Sequence, residues 1–167
     1  MNVEPEAQEG EIERKDAPGE DLTPVFHGAQ NHCFGCGQGN PVGLKLEFSA
    51  VGGPADEKDA PWSVASQATI SDHYEGPPGY VHGGIIATLL DEAMSKAGRA
   101  QGVTAMTRQL TVEYLRPVPS CGAIRIEGRV NRSEGRKHWA EARIVNAAGV
   151  TLAQATGLFI AIQSLPQ

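Results

Sequence analysis

Hydrophobic and polar residues alternate in six stretches of the chain, and in one longer stretch hydrophobic residues recur every three or four positions. Alternation predicts half-buried strands, whereas the longer spacing predicts an amphipathic helix. The helix extends from Gly83 to about Arg99 and ends before Gly102, a typical helix stop. The predicted strands lie in residues 43–50, 62–70, 106–118, 123–132, 137–145 and 150–162. Turn residues at hairpin spacing separate the last four strands and predict a meander.

A single helix cannot cover a sheet of five or six strands completely, and this constrains the fold. We predict an α+β domain over residues 25–167, in which an antiparallel sheet curls around the helix. The helix then lies along one face of the sheet. The other face needs polar side chains or a partner subunit.

The negative charge of the chain lies in its first residues. Residues 1–24 contain eight acidic and two basic residues, so this segment carries −6, the net charge of the whole chain. Its low apolar content predicts a disordered acidic tail. The remaining residues carry no net charge, so the chain lacks the excess of basic residues that is typical of nucleic-acid-binding proteins. Neither a signal peptide nor an apolar run of about 18 residues is apparent, so we expect a cytoplasmic protein that does not bind membranes.

Three cysteines, an odd number, do not indicate a disulfide framework. Cys33-x-x-Cys36, beside His32 and near His27, is half of a zinc-site pattern, but a second pair is missing and Cys121 is the only other cysteine. We therefore favour a glycine-rich turn that covers one sheet edge and introduces the first strand. No metal or organic cofactor is expected.

The predicted helix carries two consecutive carboxylates in different surroundings. Glu92 and Lys96 are one turn apart in a charged stripe, which predicts a surface ion pair. Asp91 has no base one turn away, so it is either a solvated surface residue or a reagent in a groove. Its arc of the helix contains only small residues, which invite a ligand or another backbone: Gly84, Ala87, Thr88, Ser95 and Gly98.

The glycines that open the helix leave its first N–H groups uncovered by side chains. Such groups can bind the oxygen of a polarised carbonyl, although paired glycines also simply permit tight packing. Gly83 and Asp91 are eight residues apart, or about 12 Å along a helix, so they cannot serve one carbonyl carbon within one chain. Two helices packed antiparallel across a two-fold axis bring them together. A catalytic interpretation therefore requires a dimer.

The run GYVHGGIIATLLDEAMSKA and the downstream MTRQLTVEYLRPVP resemble the PaaI-like group of the 4-hydroxybenzoyl-CoA thioesterase superfamily, which has the hotdog fold. The resemblance covers about residues 31–163. It implies that Asp91 acts as nucleophile or general base and that the N–H of Gly83 from the partner subunit polarises the thioester carbonyl. It further implies that Thr107, at the start of the following strand, faces the carboxylate and positions water.

Other residues are candidates for substrate contact. His82 either caps the helix or touches the substrate, and Gly84 and Thr88 lie on the arc of Asp91. The sequence departs from the family at Gly76, where relatives have Asn and where Glu75 or a backbone group would substitute. Basic residues at one hairpin tip either meet the phosphates of coenzyme A or are solvated: Arg132, Arg136 and Lys137.

The resemblance implies hydrolysis of an acyl-CoA to the free acid and CoA, in a homodimer that assembles as a dimer of dimers. A non-catalytic protein that binds acyl-CoA or an acyl carrier is the alternative. The sequence decides neither the acyl group nor the choice between nucleophile and general base. A dehydratase is disfavoured, because the catalytic histidine of that branch is not apparent.

Overall fold

The computed structural model describes residues 31–51 and 63–164. The predicted acidic tail and His27 lie outside these ranges. The strands are β1 (Ser49–Ala50), β2 (Val64–Thr69), β3 (Val103–Tyr114), β4 (Ala123–Glu134), β5 (Lys137–Asn146) and β6 (Thr151–Ser164). A short 3-10 helix at Asp72–Tyr74 precedes the long helix α1, which covers Gly83–Ala100. Within the described ranges, no helix is both long and apolar enough to cross a bilayer.

The six strands form one antiparallel sheet in the order β1-β2-β4-β5-β6-β3. The predicted meander is correct for β4, β5 and β6 but wrong for β3, which pairs with β6 instead of β4. The connection from β3 to β4 contains Pro117 and Pro119, which do not suit a tight hairpin. This connection passes beside the start of α1. There Tyr80 and Pro119 form an isolated β-bridge, and the Val81 N–H donates to the Val118 carbonyl.

The helix packs against the sheet through its apolar face, as the 3.6-residue period requires. Leu89, Leu90, Ala93, Met94 and Ala97 are fully buried there. They join strand residues of alternate positions in one core that includes Val64, Ile124, Ile126, Ile144 and Phe159. The α+β prediction with one helix on a curled antiparallel sheet is therefore confirmed.

The opposite face of the sheet is polar, as predicted for a face that the helix does not cover. Glu127 accepts from Arg125 and from Arg143, each at 2.7 Å, and Arg129 pairs with Glu141. Cross-strand pairs of opposite charge suit a solvated face or a polar interface.

The turn that contains the two neighbouring cysteines packs against the helix, a contact that our prediction did not include. A Cβ on Gly35 would lie 2.5 Å from Glu92 Oε2, and the Lys96 ammonium is 3.2 Å from Cys36 Sγ. The predicted ion pair between Glu92 and Lys96 is present at 3.4 Å, but the two side chains are only 12% and 7% exposed. The predicted surface position of the pair is wrong. The cysteine-containing turn, which lies some sixty residues earlier in the sequence, covers both side chains.

Candidate active site

Asp91 lies on the side of α1 that faces β3, and its carboxylate is half-buried. Thr107 Oγ1 donates a hydrogen bond to Asp91 Oδ1 at 2.7 Å. The structure thus brings together two of the three residues for which the family resemblance implies catalytic roles. The hydroxyl fixes one carboxylate oxygen and leaves the other for a proton or a carbon atom.

A β-bulge directly follows Thr107 in β3. Thr107 pairs with Phe159 and Gln109 pairs with Leu158, so Arg108 is the extra residue. Side chains alternate along a strand, and a bulge shifts that alternation by one position. Ala105 before the bulge and Leu110 and Val112 after it all pack against the core, although their numbers differ in parity. Thr107 continues the alternation of Ala105, and the bulge places Leu110 and Val112 on that same face.

At the N-terminus of α1, the Gly83 N–H is available as a hydrogen-bond donor. His82 is the N-cap, and its Nδ1 accepts from the Gly84 N–H at 2.9 Å. No described residue accepts a hydrogen bond from the Gly83 N–H. Because the first N–H groups of a helix have no partner within it and lie at its positive end, this group favours an oxyanion. His82 uses its imidazole to cap, and the Gly84 N–H is occupied.

Tyr114 is a contact of the helix start that sequence reasoning did not identify. Its hydroxyl donates to the Gly83 carbonyl at 3.0 Å, and its ring lies 3.6 Å from where a Gly83 Cβ would be. The side chain is otherwise exposed. Tyr114 ends β3, so this strand contacts the helix at two points, through Thr107 at Asp91 and through Tyr114 at Gly83.

The pKa of Asp91 is shifted, and burial is the largest cause. It raises the pKa of this carboxyl, and the negative charge of Glu92 raises it further. The hydrogen bond from Thr107 acts in the opposite direction and lowers the pKa. A carboxylate whose charged form is partly desolvated is a better proton acceptor than one in water.

Two further candidates are engaged locally. Thr88 Oγ1 donates back to the Gly84 carbonyl at 3.0 Å, so its hydroxyl is turned along the helix. Gly76 packs on His82, where an added Cβ would lie 3.3 Å from the His82 Cα. Glu75, which we considered as a substitute for the family's Asn, instead accepts from Ser120.

The three basic candidates lie at the β4–β5 hairpin, two strands from the site. His138 of β5 and Thr107 of β3 both pair with Phe159 of β6, so the three residues form one row across the sheet. The two ends of this row are about 10 Å apart, which is twice the spacing of neighbouring strands. Lys137 precedes that row. Arg132 pairs with Glu134 and lies 4.3 Å from the centroid of the Trp139 ring, and Arg136 Nε donates to the Ala161 carbonyl at 2.9 Å.

Residues 78–153, which include α1, β3, β4, β5 and the first three residues of β6, match the model of the thioesterase superfamily. Acyl-coenzyme A thioesterase THEM4 of Rattus norvegicus is 36% identical over 89 residues, which are 53% of this chain and 38% of the rat protein. The chain therefore spans well under half the length of that curated relative.

Two solved structures share the fold over more of the chain. The protein RHA08564, a thioesterase superfamily protein, is 30% identical with a TM-score of 0.68, covering 80% of this chain and 62% of its own. The protein BH2602 from Bacillus halodurans, solved with CoA, is 29% identical with a TM-score of 0.55, covering 60% and 68%. The matched residues contain the helix and the strand that carry Asp91, Gly83 and Thr107, and the chain has the hotdog thioesterase fold.

Proposed function

We propose that the protein hydrolyses an acyl-CoA thioester to the free acid and CoA. The observation that carries the proposal is the Asp91 carboxylate, half-buried in a groove of small residues and held by Thr107. Burial of a carboxylate is costly unless a cation compensates it, and no described cation pairs with Asp91. Catalysis as a general base or as a nucleophile would explain why the carboxylate is kept there. The name of the rat relative and the CoA bound to BH2602 support this substrate class.

In the general-base route, Asp91 removes a proton from water as the water oxygen attacks the thioester carbonyl carbon. The negative charge that develops on the carbonyl oxygen is stabilised by the Gly83 N–H, a donor typically worth about 3 kcal/mol of barrier. The carbon–sulfur bond then breaks, and the CoA thiolate takes the proton back from Asp91. In the nucleophilic route, the carboxylate attacks the carbon itself and the carbon–sulfur bond breaks, which releases the CoA thiolate. Water then hydrolyses the resulting anhydride to the free acid and the Asp91 carboxyl, whose proton goes to the thiolate.

The proposed site needs a second copy of the chain, since Gly83 and Asp91 are separated by about 12 Å on one helix. The free edge of β3 is where we place that copy. Among the described strands, none pairs with this edge, which is long and carries exposed Met106 and Tyr114, with exposed Leu115 just beyond it. Unpaired apolar edges of this kind are normally covered in a native protein. Both Thr107 and Tyr114 lie on β3, next to the proposed interface.

We propose that the CoA phosphates meet the basic hairpin tip, within reach of the row that contains Thr107. Arg132 and Lys137 are exposed at this tip, whereas Arg136 also ties it to β6. Arginine and lysine bind phosphate through charge-assisted hydrogen bonds.

A panel of acyl-CoAs of increasing chain length, with aromatic members, tests the function. The thiol released by wild type, Asp91→Asn and Glu92→Gln is measured. We expect wild type to hydrolyse at least one member and Asp91→Asn to lose about 100-fold or more in kcat, the usual contribution of a positioned base. Circular dichroism checks that each variant folds.

Two results would contradict the proposal. Wild type that binds an acyl-CoA but releases no thiol from any member would favour the non-catalytic binding protein. Asp91→Asn as fast as wild type, together with an inactive Glu92→Gln, would move the catalytic role to the neighbouring carboxylate.

A further inference from the structure

Four side chains that take no part in the proposed hydrolysis meet on the outer side of α1. Cys33 Sγ, Cys36 Sγ and a carboxylate oxygen of Glu92 all lie within 4.8 Å of one another. Cys33 Sγ is 3.9 Å from Glu92 Oε2, and Lys96 Nζ is 3.2 Å from Cys36 Sγ. The first two residues and the last two come from segments about sixty positions apart, so only the fold assembles this cluster.

The turn that presents the two sulfurs is held by its own backbone. The Gly37 N–H donates to the Cys33 carbonyl at 2.8 Å, and the Cys33 N–H donates to Asn31 Oδ1 at 3.0 Å. A Cβ on Gly37 would lie 2.4 Å from the Asn31 carbonyl oxygen, so glycine is required. Gly35 likewise leaves room for the Glu92 carboxylate. Two glycines thus allow a tight C-x-x-C turn to approach the helix.

We propose that Cys33, Cys36 and Glu92 bind one thiophilic divalent metal ion, with zinc as the best match. In a tetrahedral zinc site, sulfur ligands are about 3.8 Å apart and a sulfur and an oxygen about 3.5 Å apart, from bond lengths near 2.3 and 2.1 Å. The three donor atoms lie within 4.8 Å of one another, close to these separations. Rotation of the side chains would shorten the distances to those of a bound ion. Cys33 is exposed, so water from solvent takes the fourth position.

Lys96 fits such a site as a supporting group. Two thiolates and a carboxylate carry −3, which a divalent ion reduces to −1 and the Lys96 ammonium to zero. The ammonium lies within hydrogen-bonding distance of one ligand, Cys36, and 3.4 Å from Glu92 Oε1. Groups of this kind orient ligands and tune a metal site. The cluster is also neutral without a metal, when both thiols are protonated, so metal uptake releases two protons.

A disulfide between the two cysteines is the competing use of the same turn. Oxidation would remove both S–H donors and leave Glu92 Oε2 against sulfur atoms that only accept. The 12% exposed carboxylate would then retain Lys96 as its partner in the cluster. Metal binding uses this carboxylate directly, which is why we favour the metal.

The test is metal binding by the full chain, reduced and stripped with a chelator. Zinc is titrated against a chromophoric chelator, and cobalt is added separately to detect thiolate-to-cobalt charge-transfer absorption. Wild type is compared with Cys33→Ser, Cys36→Ser and Glu92→Gln. Cys121→Ser is the matched control, because this third cysteine is exposed and lies outside the cluster. Thermal unfolding with and without zinc gives an independent readout.

We expect one zinc per chain in wild type and in Cys121→Ser, with a higher unfolding temperature in its presence. Cys33→Ser, whose exposed position makes misfolding a small risk, should lose the cobalt band and bind zinc at least about tenfold more weakly. Glu92→Gln should weaken zinc binding while retaining the cobalt band. The proposal is wrong if reduced wild type takes up no zinc, or if Cys33→Ser and Cys36→Ser bind it as wild type does. Neither outcome depends on thioester hydrolysis.

Discussion

At the scale of single residues, the consecutive carboxylates of α1 point into different surroundings. Asp91 faces β3 and is held by the Thr107 hydroxyl. Glu92 faces the cysteine-containing turn and pairs with Lys96. A helix turns by about 100° per residue, so neighbours in sequence contact different elements. Burial makes Asp91 harder to ionise, and the charge of Glu92 adds to that effect.

The Gly83 N–H can be deleted without disturbing the helix. Gly83 is the first helical residue, where proline is well tolerated, and His82 has the extended ψ of 139° that a residue before proline prefers. Gly83→Pro should therefore fold and lower kcat about 100-fold or more, the cost of losing an oxyanion donor. Steady-state kinetics on the best acyl-CoA of the panel measure it.

Gly83→Ala is the matched control for that variant. It keeps the N–H and adds a Cβ that would lie 3.6 Å from the Tyr114 ring, an ordinary contact. We expect it to retain most of the wild-type kcat. Equal losses in the two variants would mean that side-chain space at Gly83, and not its N–H, is what matters.

Thr107 is expected to act through Asp91 as a positioning residue. Thr107→Val removes a hydrogen bond that lowers the pKa of the carboxyl, so that pKa should rise. Since the ionised carboxylate is the active form, the acid limb of the kcat profile should move to higher pH. We expect a roughly tenfold or larger loss of kcat with little change in KM, from misplacement of the base.

Thr107→Ser separates this role from simple packing. It retains the hydroxyl and should restore most of the activity and the wild-type acid limb. An unchanged acid limb in Thr107→Val, or an equal loss in both variants, would exclude the positioning role.

At the scale of elements, the helix and sheet meet through a glycine that sequence analysis did not single out. A Cβ on Gly128 of β4 would lie 2.4 Å from the Ala93 carbonyl oxygen of α1. Backbone cannot move aside as a side-chain end can, so Gly128→Ala should destabilise the fold by about 3 kcal/mol. Urea unfolding followed by circular dichroism measures the change.

Gly98→Ala provides the comparison within α1. Outside the helix's own backbone, the nearest heavy atom to its added Cβ would be the Val103 carbonyl oxygen at 3.7 Å, an ordinary contact. Alanine has the higher helix propensity, so we expect a gain of up to about 1 kcal/mol. A Gly128→Ala variant as stable as Gly98→Ala would show that α1 and β4 are not packed this closely.

The predictable and unpredictable parts of the site differ in physical origin. The limits of α1, Gly83 to about Arg99, follow from local periodicity and stop signals, and the structure has Gly83–Ala100. The bulge at Arg108 depends on pairing between β3 and β6, which no local pattern specifies. The burial of Lys96 depends on a turn about sixty residues away. Long-range packing decided both features.

At the scale of the whole molecule, one helix carries half of each of two proposed sites, one at its N-terminus and one near its middle. The helix N-terminus offers the free Gly83 N–H, and Asp91 lies two turns further on. The unpaired edge of β3 borders both through Tyr114 and Thr107. A two-fold dimer along that edge would therefore build two equivalent sites, each with residues from both copies.

Mixing two inactive variants tests this shared architecture. Asp91→Asn and Gly83→Pro homodimers should each be nearly inactive. A mixed dimer contains one intact site, with Gly83 from the first variant and Asp91 from the second, and one site that lacks both groups. Statistical exchange of equal amounts makes half of the dimers mixed, so about a quarter of the wild-type kcat per chain should return.

The recovery should follow subunit exchange and not simple addition. The two variants are unfolded together and refolded, and hydrolysis is compared with that of variants refolded separately and then combined. Differential affinity tags identify the mixed dimers. If both residues acted within one chain, every chain would lack one of them and no activity would return. Mixed dimers that form but remain inactive would therefore reject the shared site.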